Sequence, residues 1–153
     1  MRLIIQRVKR GSVTVDGNVV GRCGKGAVCL VGIKKDDTVE DIDWIIRKTL
    51  SFCLWPDDDG RPWRKGIPEI EGEVLLVSQF TLYGRYGNGR RPDYSRGMSP
   101  EEARPMFDLF VERFKAAYNA EKVQTGEFGA DMEVEIIGDG PVTFTFDSAI
   151  KRD

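Results

Sequence analysis

"SQFTLY", residues 78–83, sets Ser78, Gln79 and Thr81 at the end of a strongly apolar run, where side chains and freed backbone N–H groups can face a pocket. Thr81 carries the one hydroxyl there that invites a nucleophile's role, but a threonine needs a base to activate it. The 153 residues include no histidine. A Ser-His-Asp triad, a Cys-His pair, a histidine zinc site and histidine acid–base chemistry are therefore excluded. An enzyme of this sequence has to work with carboxylates, hydroxyls, backbone dipoles or groups on its substrate. The plainer alternative is that Phe80 and Thr81 are ordinary strand residues with Ser78 on a solvent face.

Other stretches carry chemistry of a different kind. In "GDGPVT", residues 138–143, Asp139-Gly140 alone would make a tight turn, yet Pro141 follows at once, where a ladder wants an N–H that proline lacks. A bond before proline is also the one place where a cis peptide costs as little as about 0.5–1 kcal/mol, so it can aim carbonyls in unusual directions. The loop "RYGNGRRPDYSR", residues 85–96, holds Arg85, Arg90, Arg91 and Arg96 against the single acid Asp93, interleaved with Tyr86 and Tyr94. It suits phosphates and a stacked base, and equally suits a solvated basic loop. "TGEFGADM", residues 125–132, sets Phe128, Ala130 and Met132 among glycines, either to let a ligand approach the backbone or simply to turn into a strand. Asp57, Asp58 and Asp59 before Gly60 suggest calcium only superficially, because Pro68 stands where a calcium loop needs its twelfth-position glutamate.

The elements that must position these residues follow from periodicity. "RLIIQRVKR" and "SVTV" read as strands, and Asp16-Gly17 before "NVVG" is a two-residue hairpin signal. "AVCLVGI", residues 27–33, is a continuous apolar run suited to a central strand covered on both faces. Asp37 or Thr38 caps a helix with Val39, Ile42, Ile46 and Thr49 or Leu50 on one face. Residues 73–83 read as one strand. Ser99, Pro100 and Glu102 start a second helix whose apolar face is Ala103, Met106, Phe107, Phe110, Phe114 and Ala117. "DMEVEII" and "PVTFTFDS" read as two closing strands joined by "GDGPVT". The expected fold is mixed α/β: a curved mixed sheet beginning with a β-hairpin, two helices layered on one side, and closing β-strands. Its other face then needs more sheet or a second subunit to cover it.

A chain of this length makes one domain, 1–153, without an internal repeat or linker. With no apolar run near the 18 residues that cross a bilayer, and alternating charge at the N-terminus, it is expected to be cytoplasmic, away from membranes. Cys23, Cys29 and Cys53 are odd in number and widely spaced, which fits small buried hydrophobes better than disulfides or metal knuckles. The net charge of −2 confines any nucleic-acid contact to a local patch.

The N-terminal "MRLIIQRVKRGSVTVDGNVVGRCGKG", the central "VSQFTLYGRYGNGRRPDYS", then "TGEFGADMEVEII" and "GDGPVTFTFDS" resemble, nearly end to end, the D-aminoacyl-tRNA deacylases of bacteria and eukaryotes, which edit mischarged tRNA. The resemblance implies a homodimer whose active sites lie at the subunit interface. It implies that Gly140 and Pro141, joined by a cis bond, enter the partner's site and select chirality by leaving room beside the substrate's α carbon for hydrogen but not for an L side chain. Gln79, Phe80 and Thr81 would be catalytic, while Ser78, Phe128, Ala130 and Met132 would bind substrate. Arg85, Arg90 and Arg91 would contact the tRNA. It further implies RNA-assisted hydrolysis without metal or cofactor, with backbone N–H groups near Phe80 and Thr81 stabilising the oxyanion. Glycine offers no side chain to exclude, so glycyl-tRNA, including that mischarged on tRNA(Ala), would also be hydrolysed. Two departures stand out. Gly138 occupies the place of the family's usual asparagine, so a different hydrogen bond has to hold the loop, and "WPDDDGRPWRKGIPEI" differs from the family wording. The rival reading is a nucleic-acid-binding module without catalysis, using the Arg85–Arg96 loop; a purely structural dimeric β protein is a weaker third.

Overall fold

The computed structural model describes residues 1–150. Its frame is a long strand β1 (Arg2–Val15), which turns through Asp16 (φ 49°) and Gly17 (φ 80°) into β2 (Asn18–Cys23). Two consecutive left-handed residues match the right-handed twist of paired strands, so the Asp-Gly pair makes this turn. β3 (Gly26–Gly32) runs antiparallel to the first half of β1, and β4 (Glu73–Ser78) and the short β5 (Val123–Thr125) add in parallel. β6 (Glu133–Asp147) lies antiparallel along both halves of β1, opposite β3 in the first half and β2 in the second. The sheet order is β2-β1-β3-β4-β5, with β6 also paired to β1.

This sheet curls nearly shut. A Cβ built on Gly21 would lie 2.0 Å from the Thr125 carbonyl oxygen, and the Arg22 N–H donates to Gln124 Oε1 at 2.8 Å. Only glycine lets β2 and β5 come so close. Inside the curl sit Val8, Val13, Val28, Leu75 and Val77. Val8 and Val13 have opposite parity yet share this interior. The reason is a bulge: Val8 pairs with Gly138 and Arg10 with Ile137, so Lys9 is the extra residue that reverses the alternation.

The two helices, α1 (Val39–Ser51) and α2 (Pro100–Ala117), cover the other face together. Ile42, Ile45 and Ile46 of α1 and Phe107, Phe110 and Phe114 of α2 bury against Leu3, Ile5, Val31 and Leu76 of the sheet. Val39 and Ala117, expected on apolar faces, are exposed, the first being the first residue of α1 and the second the last of α2. Asp41 Oδ2 accepts the Thr38 N–H at 2.9 Å at the start of α1. Ser99 Oγ accepts the Glu102 N–H at 3.4 Å at the start of α2. Replacing Ser99 by alanine is expected to lower stability by about 1 kcal/mol, read as a shift of the urea midpoint at constant slope.

Two expectations need correction. Residues 73–83 are not one strand: β4 ends at Ser78 and Phe80–Tyr83 form a 3-10 turn. Its partner β3 stops at Gly32, and Leu82 packs where a Gly32 side chain would stand, so the ladder has nothing further to pair with. Nor does "GDGPVT" join two strands. Both halves belong to β6, and between the pairs Gln6–Thr143 and Val8–Gly138 the single residue Arg7 faces Asp139, Gly140, Pro141 and Val142. The motif is a large bulge standing off the sheet, because β1 is long enough to pair on either side of it.

Candidate active site

A cavity of about 700 Å³ opens where the parallel strands β3 and β4 end, the usual place for a site in parallel sheets. One wall is Ser78, Gln79 and Phe80, delivered by the end of β4. A second is Tyr94, Met98 and the first turn of α2. The third is Phe128, Ala130, Met132 and Val134, on the segment leading from β5 into β6. Ser78, Phe80, Phe128, Ala130 and Met132, widely separated in the chain, thus share one space.

The 3-10 turn decides what this space can do. Neither the Phe80 nor the Thr81 N–H finds an acceptor among the described residues, since the first amides of a helical turn have no partner within it. Two donors therefore stand free beside the cavity. The Gln79 side chain donates from Nε2 to Thr81 Oγ1 at 2.5 Å, and Thr81 itself lies outside the cavity wall. Its oxygen is occupied as an acceptor by an amide, with no base at hand. The two buried thiols offer no substitute: burial, and then the nearby Glu73 carboxylate, push Cys23 up to about 11, and burial pushes Cys29 well above the ordinary thiol range.

Arg104, which sequence reasoning passed over, latches the third wall. Its guanidinium stacks 5.0 Å over the Phe128 ring and Nη2 donates to the Phe128 carbonyl at 3.3 Å. A helix-start signature located this residue on α2, but nothing local pointed it at a segment 24 positions later.

The basic loop is divided. Arg85, Arg90 and Arg91 are all exposed and none lines the cavity, but Arg85 is ion-paired with Asp93 and lies 3.1 Å from Ser95 Oγ. Asp93 also accepts the Ser95 N–H at 2.8 Å. Hydrogen bonds from the Ser95 backbone and hydroxyl, then from Arg85, hold the Asp93 carboxyl at about 2 against an ordinary 3.8. A depressed folded-state pKa means that the clasp is fully formed above pH 3.8 and is lost as pH falls through about 2. Carboxyl NMR titration should give Asp93 a midpoint near 2; a midpoint near 4 would show the clasp open in solution.

Gly140 and Pro141 do not line the cavity of their own chain. Their peptide bond is cis, both residues are exposed, and Arg7 holds the bulge: Nε donates to the Asp139 carbonyl at 3.0 Å and Nη1 to the Leu54 carbonyl at 2.5 Å. Arg7 thus supplies a tether where Gly138 offers no side chain. The acidic triplet is a self-satisfied turn: Asp57 accepts N–H bonds from Asp59 and Arg61 and pairs with the Arg61 side chain. Among the described residues no cluster of three or more Cys, Asp or Glu is placed to hold a metal ion, and no helix is long and apolar enough to cross a membrane.

This architecture is shared with solved proteins. A structure titled "c-Myc DNA Unwinding Element Binding Protein" superposes with a TM-score of 0.92 at 37% identity, covering 96% of this chain and 98% of that one. A "probable eukaryotic D-amino acid tRNA deacylase" has the same fold, with a TM-score of 0.81 at 17% identity over 95% of this chain and 97% of its own. The family model described as D-Tyr-tRNA(Tyr) deacylase matches residues 4–147. The chain belongs to this family, and is a hydrolase. A D-aminoacyl-tRNA deacylase of Trichodesmium erythraeum is 50% identical over 94% of each chain. One of Dictyostelium discoideum is 43% identical over 99% of this chain and all of its own.

Proposed function

We propose that the chain, as one domain spanning 1–153, hydrolyses the ester of D-aminoacyl-tRNA to free tRNA and D-amino acid. The observation that carries this is the pair of unpartnered N–H groups of Phe80 and Thr81 beside an apolar cavity, in a chain of deacylase ancestry without histidine. A water oxygen bonds to the ester carbonyl carbon, and the negative charge that develops on the carbonyl oxygen is stabilised by these donors, each worth about 2.7–4 kcal/mol in such a role. The ester C–O bond then breaks and the ribose oxygen leaves with a proton. The vicinal ribose hydroxyl helps to activate the water, in place of the base this chain lacks. Neither metal nor cofactor takes part.

In this reading the enzyme is a cytoplasmic homodimer, and Gly140-Pro141 of a second copy closes the site and excludes L side chains. Support comes from the exposure of that bulge and its absence from the cavity of its own chain. Selection by exclusion predicts that glycyl-tRNA is hydrolysed too. Arg90 and Arg91 meet the RNA backbone.

The deciding experiment incubates the protein with D-aminoacyl-tRNA and its L counterpart. D-only release of amino acid is expected; binding without release favours the second reading, a nucleic-acid-binding module, which the likeness to the DNA unwinding element binding protein brings forward. Thr81 shapes the site without attacking the ester. Thr81→Ala should therefore retain turnover within about tenfold of the wild type, a loss of at most about 1.4 kcal/mol of barrier lowering. A trappable acyl-enzyme on Thr81 would reverse that assignment.

A further inference from the structure

Tyr94 and Phe80 form an exposed aromatic ledge at the cavity mouth. Their rings meet edge to face, centroids 5.0 Å apart at 67°, and they remain 39% and 61% exposed. Large aromatics left this open usually have something to cover them.

Tyr94 is also held with unusual care for a loop residue. Arg85 and Asp93 pair both through their side chains and as an isolated two-residue bridge, with N–H···O bonds of 2.8 and 2.9 Å in the two directions. The adjacent Ser95 is bound to the same Asp93 carboxylate. The Tyr94 ring lies against Gly84 so closely that a Cβ there would stand 2.9 Å from it. The clasp fixes the one residue between its anchors.

Charge identifies the occupant. Arg85 consumes the loop's only acid, which leaves Arg90, Arg91 and Arg96 with no carboxylate within 4.0 Å among the described residues. On the opposite wall the Arg104 guanidinium is spent on Phe128. A strand of phosphates leaving the cavity therefore finds its countercharge on the Tyr94 side. An aromatic face flanked by unpaired guanidinia is the arrangement that holds an unpaired nucleobase.

Resting on the deacylase reading, we infer that the Tyr94–Phe80 ledge stacks the nucleobase next to the ester-bearing adenosine, with Tyr94 as the platform and Arg85 and Asp93 as its positioning residues. One stacked base contributes about 1–3 kcal/mol, or roughly 5- to 150-fold in affinity. The test uses three substrates carrying the same D-amino acid: full tRNA, a cytidylyl-adenosine dinucleotide, and adenosine alone. Tyr94→Ala should raise KM about tenfold more on the first two than on D-aminoacyl-adenosine, with kcat unchanged, and be rescued by Tyr94→Phe. Equal loss on all three substrates, a fall in kcat instead of a rise in KM, or no loss at all overturns the assignment. If the wild type hydrolyses D-aminoacyl-adenosine but the dinucleotide gains nothing over it, the ledge fails while the deacylase reading stands. A wild type inert on all three sinks the deacylase reading and the ledge with it.

Discussion

An Asp37→Ala protein is expected to lose about 3–5 kcal/mol of folding stability, the usual cost of leaving one partner of a buried ion pair without the other. The Met1 α-ammonium lies 2.5 Å from Asp37 Oδ1 and 2.7 Å from Ser148 Oγ, with both charged groups nearly inaccessible to water. Removing the carboxylate strands that cation between β1 and the end of β6. The effect should reach the cavity as well. Asp37 Oδ2 accepts the Lys34 N–H at 2.6 Å, Lys34 bridges to Gly97, Lys35 donates to the Arg96 carbonyl at 3.2 Å, and Met98 donates to the Ile33 carbonyl at 3.0 Å. Met98 lines the cavity, so slackening this turn should raise KM for aminoacyl-tRNA in the fraction that stays folded. Urea unfolding checks the first claim, and a loss below 1 kcal/mol would mean that the pair is hydrated in solution. Asp37→Asn, which keeps an acceptor for Lys34 but not the charge, separates the two: it should restore KM more than stability.

What could be read from the residues, and what could not, divides along physical lines. The Asp16-Gly17 hairpin and the Ser99 helix start were legible because a left-handed pair and a capping hydroxyl act within a few residues. The apolar run at 73–83 hid a strand end, since Ser78 stops the ladder only because β3 runs out at Gly32. The same holds for "GDGPVT": no local signal says that β1 will pair on both sides of a proline-containing bulge. Closure of the sheet rests on Gly21 meeting Thr125, more than a hundred positions away, and a single glycine in a strand carries no address. Of the site, Ser78 to Phe80 and Phe128 to Met132 were legible individually, as polar or glycine-flanked breaks in strand patterns. That they share a cavity with the start of α2 was not, and neither was the pairing of Arg85 with Asp93 across the loop.

Phe110→Ala should cost about 3–5 kcal/mol, because nothing around the ring is free to fill the space. Phe110 is fully buried, with ring centroids 6.3 Å from Phe107 and 5.9 Å from Phe114 along the same face of α2. Phe107 in turn lies 5.9 Å from Phe128, so the aromatic row runs from the centre of the core to the cavity wall. A void at Phe110 forfeits dispersion contacts on three sides, and the sheet residues beneath, such as Leu76, are locked in register by β3 and β5 and cannot follow. The loss should appear as a lower urea midpoint with the slope unchanged. D-aminoacyl-tRNA turnover per folded molecule should fall much less, since Phe128 retains its contact with Arg104. Phe110→Leu, which keeps most of the volume, should recover more than half of the stability. An alanine variant within 1 kcal/mol of the wild type would show that α2 does not pack on the sheet through this row, and with it would go the support for the cavity's second and third walls.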